Sequence, residues 1–169
     1  MIGRHVLKLF AVLTLACVSL PAHAADLTVD KSSAPVADQV NTLTPARNLP
    51  GATIDYSLTV TNPLLNLVVI KKVVIVDVIP TTVKFRMLPY SSGSGPVEFT
   101  NGNLLTIPLG SSGLTYSGIE YYDGASWSYV PQDDGTGYDG NVRSIRVTMS
   151  TGTMTTGGSF RLRYRVMLK

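Results

Sequence analysis

Residues 54–61, IDYSLTVT, alternate apolar and polar side chains without a break. Ile54, Tyr56, Leu58 and Val60 fall to one side, and Asp55, Ser57, Thr59 and Thr61 to the other. A period of two is the signature of a strand with one wet face, and no helix can satisfy it. Pro50-Gly51 supplies a turn before the segment, because proline fixes φ and glycine accepts a positive one. Asn62-Pro63 closes it. The same period returns at the other end of the chain, where Phe160, Leu162, Tyr164, Val166 and Leu168 oppose Arg161, Arg163 and Arg165. Further strands are predicted at 25–33, 67–80, 83–88, 97–100, 104–109, 115–122, 127–130 and 142–150. Turns rich in Gly, Ser and Asn separate them, and a proline-punctuated loop covers 34–51. Many short strands with turns between them predict an all-β antiparallel sandwich. No internal repeat divides it, so residues 25–169 are expected to form one domain.

Residues 1–24 stand apart. Arg4 and Lys8 precede a short apolar run, and Ala22 and Ala24 sit at −3 and −1 of a predicted cut. This is the pattern of a cleaved secretory signal peptide. The run is shorter than the roughly 20 residues a membrane span needs. The competing reading is lipidation at Cys17, against which Thr14 stands where a branched apolar residue belongs. No later run predicts a transmembrane span.

Removal of the signal changes what the chain can do. Of 14 basic residues two leave, so 14 − 2 = 12 face 11 acidic ones and the net charge falls to +1. A nucleic-acid partner is not expected from so balanced a surface. Cys17, His5 and His23 are the only cysteine and histidines, and all three lie in the signal. Nucleophilic triads that need His or Cys are therefore excluded, as are the usual zinc and copper sites. Carboxylate chemistry survives, with Glu98 and Glu120 as the only glutamates. No motif singles out either, and the expectation is a non-catalytic chain without a cofactor.

Three segments occur in order: PGATIDYSLTVTNP, then VVIVDVIPTTVKF, then a terminal FRLRYRV. Together they resemble the conserved-repeat domain of bacterial surface proteins, the family called domain of unknown function eleven. The matching positions are Pro50, Gly51, Tyr56, Thr61, Asn62, Asp77 and Pro80, with Ile79 where the family tends to leucine. The resemblance is clearest over 27–85. It implies an immunoglobulin-like sandwich that is secreted or held at a cell surface. It carries over no catalytic residue. The sequence shows no wall-sorting motif, so non-covalent retention, release or a periplasmic location are the expectations.

Several candidate sites emerge. Asp77 interrupts an apolar strand and is expected to accept hydrogen bonds from the backbone of a nearby turn. Leu64 and Leu65 occupy a loop, and Val74, Val76 and Val78 give the valine-rich strand a second apolar face. Either a loop of this domain covers that face, or it docks on another copy or another surface protein. A related form of assembly is donation of residues 25–33 to a neighbour's sheet. The hairpin YYDGASWSYV, with a tight turn at Asp123-Gly124, offers Tyr121, Tyr122, Trp127 and Tyr129. At least two of these are expected in the core, and the others, with Tyr122 and Trp127 as candidates, are available to stack on a surface polysaccharide. Arg161, Arg163 and Arg165 either attract anionic polymers or pair with Asp55 and its neighbours. Asp133, Asp134 and Asp139 form the one weak calcium candidate, set against their ordinary use as turn residues.

Overall fold

The computed structural model describes residues 26–40, 45–102 and 110–169. The expected signal peptide and the strand expected at 104–109 lie outside the described residues. Ten strands follow in order: β1 Thr28–Ala37, β2 Thr53–Thr61, β3 Val73–Val78, β4 Val83–Arg86, β5 Val97–Asn101, β6 Gly110–Ser111, β7 Thr115–Tyr122, β8 Tyr138–Asp139, β9 Ser144–Ser150 and β10 Gly158–Leu168. No helix occurs among the described residues.

The strands form two sheets. The larger has the order β1-β2-β10-β4-β8, with β5 and β6 also pairing to β10; the smaller has the order β3-β9-β7. All pairings are antiparallel except the short β6–β10 contact. This is the expected two-layer sandwich, with a strand order of its own that puts the C-terminal β10 in the middle of the larger sheet. The period of two explains why. Phe160, Leu162, Tyr164 and Val166 are all buried, and so are Ile54, Leu58 and Val60 on the neighbouring β2. They meet Ile145, Val147 and Met149 of β9 across the interior, in one hydrophobic cluster that spans both sheets.

The turn expected at Pro50-Gly51 forms. Gly51 takes φ +82°, and Ala52 N donates to Leu49 O at 2.8 Å. Other boundaries move. β1 runs on to Ala37, into the expected loop, because it is an edge strand where Pro35 withholds no needed donor. It pairs along its length with β2 of its own chain, with a bulge at Val36. The strand expected over 67–80 shrinks to β3, because 67–69 form no ladder with any described strand and only Ile70 bridges Met154. The strand expected at 127–130 reduces to one bridge between Tyr121 and Tyr129.

Candidate interaction face

On β3 the side chains of Val73, Ile75 and Asp77 turn inward, and those of Val74, Val76 and Val78 turn out. The outward set is 44%, 55% and 67% exposed. The covering loop is not found among the described residues, so that expectation is corrected: the second apolar face is open to solvent. The chain leading into β3 extends the exposure, with Leu64 and Leu67 exposed and Leu65 at 95%. That loop is pinned. The buried Asn62 donates from Nδ2 to Val68 O at 3.1 Å, and Thr156 Oγ1 donates to Leu64 O at 2.7 Å. The leucines are held outward by these bonds.

The antiparallel register carries the same outer face across the small sheet. Val76 lies opposite Arg146 and Val78 opposite Ser144; these in turn face Glu120 and Tyr122. Tyr122 stacks on Trp127 with ring centroids 5.1 Å apart. The Arg146 guanidinium lies 4.5 Å from the Trp127 centroid and grips Glu120 at 2.7 Å and 2.8 Å. Those hydrogen bonds hold the Glu120 carboxyl below its usual range. Val76, Val78, Tyr122 and Trp127, read from separate stretches of sequence, thus share one surface. The loop between the aromatic arms is longer than the expected tight turn. Asp123 Oδ1 caps it by accepting from Ala125 N and Ser126 N, both at 2.8 Å.

Asp77 is buried, but its partners are side chains and not the backbone of a turn, which corrects the sequence expectation. Tyr164 Oη donates to it at 2.6 Å and Lys31 Nζ at 2.5 Å. Tyr164 also stacks on Tyr56 at 5.3 Å. The tyrosine of one motif and the aspartate of the other therefore meet across the sandwich through β10. No local pattern could have named Tyr164 or Lys31 as the partners, which are 87 and 46 residues away.

The arginine row lies on the outside of the larger sheet. Arg163 Nε reaches Glu98 at 2.7 Å, and Arg165 Nη2 reaches Asp55 at 3.0 Å. Tyr90 folds over both guanidinium groups, each 4.9 Å from its ring, and donates to Asp55 at 2.7 Å. Burial alone would raise the Asp55 carboxyl, but the Arg165 and Tyr90 hydrogen bonds and the arginine charges outweigh it and hold it low. Arg161 has its Nε buried without a hydrogen-bond partner. Glu98 and Glu120 sit on opposite outer faces of the sandwich, so they cannot flank one substrate.

The three aspartates do not converge. Asp133 Oδ1 accepts from Gly135 N and Gly137 N. Asp134 pairs with Lys84 at 2.6 Å, and the hydrogen bonds from Lys84 and Thr136 bring its carboxyl down to about 2. Asp139 is buried and accepts from Asn141 N, Gln132 N and Tyr129 Oη. Each carboxylate serves its own turn. Among the described residues, no group of three or more acidic, His or Cys side chains is placed to hold a metal ion.

Comparison with protein-family models, with curated proteins and with solved structures found no match for this chain.

Proposed function

We propose that this chain is a secreted, non-catalytic structural or adhesive module of a bacterial cell surface, and that it docks through the outer face of the small sheet onto a second copy of itself. The signal-peptide pattern and the motifs shared with the conserved-repeat domain support the location. The observation that carries the docking role is the exposed valine row of β3. Three valines on an open face leave apolar area in water that burial would stabilise by about 25 cal/mol per Å². Leu64, Leu65 and Leu67 add to it at the entry to the strand. The Tyr122–Trp127 stack and the Arg146–Glu120 pair supply the aromatic and charged border that interfaces commonly use.

A single-cysteine cross-linking experiment tests this reading. Val76→Cys placed on the outer face of β3 should join two copies through a short bis-maleimide. Ser57→Cys, on the outer face of the larger sheet, should give no more cross-link than the parent chain. Equal cross-linking from both positions, or none from Val76→Cys, contradicts the proposed docking face.

A further inference from the structure

We infer that a cleft on the outer face of the larger sheet, walled by the Val36 bulge and holding the unpaired guanidinium of Arg86, binds a carboxylated sugar of the hexuronate class. The cleft encloses about 530 Å³ and is lined by Val36, Ala37, Thr53, Arg86, Leu88, Thr136, Tyr138 and Arg165. That volume falls within the range of about 300–1,000 Å³ typical of small-molecule sites. It lies on the opposite side of the sandwich from the valine face, so it stands independently of the docking proposal.

Of the two arginines that line the cleft, Arg86 is the one without a charge partner; Arg161, also unpaired, lies further along β10 and does not line it. Arg163 is matched by Glu98, Arg165 by Asp55 and Lys84 by Asp134. The Arg86 guanidinium has neither an ion pair nor a hydrogen bond to any described residue. A guanidinium presents a planar fork that matches a carboxylate with two parallel bonds. Its neighbour Arg165 is already neutralised by Asp55, whose own negative charge opposes a second anionic group. One free fork beside one carboxylate fits a monoanion better than a phosphate dianion.

The remaining walls suit a sugar ring. Val36 and Leu88 are exposed apolar side chains, fit to meet the C–H face of a pyranose. Thr53, Thr136 and Tyr138 bring hydroxyl-bearing side chains to the lining; Thr136 Oγ1 donates to Asp134 Oδ1 and keeps its lone pairs to accept from a ring hydroxyl. The bulge is what turns Val36 toward the cleft, since Pro35 and Ala37 pair with Ile54 and Thr53 while Val36 is the extra residue. Bulges of this kind recur beside binding sites because they re-aim a side chain.

The walls are also fixed before any ligand arrives. The Arg165 side chain is held by Asp55 and Tyr90, as described above. Thr136 is held by its N–H to Asp134 Oδ1 at 3.0 Å. Leu88 rests on Gly137, where φ is +82° and an added Cβ would lie 2.8 Å from Leu88 Cδ1. A preorganised cleft loses little affinity to ordering on binding.

Calorimetric titration of the purified protein with D-glucuronate, D-glucose and acetate tests the assignment. Saturable binding of glucuronate is expected, with glucose and acetate each weaker by about tenfold or more, as loss of a bidentate charged pair or of the ring contacts warrants. Arg86→Gln should bring glucuronate down to the level of glucose, and Arg86→Lys should weaken it by about tenfold while keeping the charge. The inference is overturned if glucuronate does not saturate, if glucose or acetate binds equally well, or if Arg86→Gln binds as the parent does. Should Arg86→Gln fail to fold, unchanged binding by Arg86→Lys overturns it in the same way. Native mass measured on the same samples keeps the outcome separate from self-association.

Discussion

Asp77 sits at a junction of three elements: its own β3, Lys31 on β1 and Tyr164 on β10. A buried carboxylate persists only if its charge and lone pairs are met, and here a phenol and an ammonium meet them. Tyr164→Phe removes the buried bond and should destabilise the fold by about 1–3 kcal/mol. Lys31→Met removes a partly exposed ion pair and should cost about 1 kcal/mol or less. Urea denaturation of the two variants checks that order, and an equal or reversed cost would contradict it. The tyrosines also set the alkaline limit. Burial pushes the Tyr121 phenol up to about 12, and burial together with the Asp77 charge pushes Tyr164 up as well. A phenol raised in the folded state keeps its proton while the unfolded chain, with its ordinary value of 10.0, has lost it. Stability should therefore hold below pH 10 and fall as pH rises from there toward about 12. The denaturation midpoint followed against pH checks this; a flat profile across that window would contradict it. Asp55 works in the other direction. Its carboxyl is held below the ordinary 3.8, so the stability it contributes is present above that pH and lost as pH falls through the lowered value.

At the scale of elements, β3 behaves as an edge strand with one inner and one outer apolar face. Val76→Thr with Val78→Thr changes only side chains already in water, so folding stability should shift by about 0.5 kcal/mol or less. A larger loss in thermal or urea unfolding would mean that the valines are covered. Much of this element was legible. The period of two placed β2 and β10 to within about one residue, because a strand with one buried face has no freedom to slip. The doubly apolar character of residues 73–78 was equally plain. What sequence left open was whether anything covers the outer face, which depends on where distant loops run. It overextended the strand back to residue 67, since β-branched residues favour strands even where no neighbouring strand exists to pair with. It also stopped β1 too early, taking Pro35 for a loop where an edge strand tolerates it. Arg86 escaped notice for a related reason: what distinguishes it is a place in the cleft beside Arg165, whose charge Asp55 already meets, and that pairing is tertiary.

Across the whole molecule, the sandwich presents two unlike outer faces from one core. The small sheet offers valines with an aromatic and charged border. The larger sheet offers Arg163 and Arg165, compensated by Glu98 and Asp55, and a cleft that holds Arg86, which has no such partner. Both faces are held by a cluster of side chains that runs between the sheets, and close packing of that cluster makes the module rigid. Such a body can join copies through one side and leave the other free. The most direct test of that account is the native mass of the purified protein, measured by sedimentation velocity over a wide range of concentration. The parent chain should move from monomer to dimer or larger as concentration rises, and the double threonine variant at Val76 and Val78 should stay monomeric throughout. A parent chain that remains monomeric at the highest concentration would contradict the account.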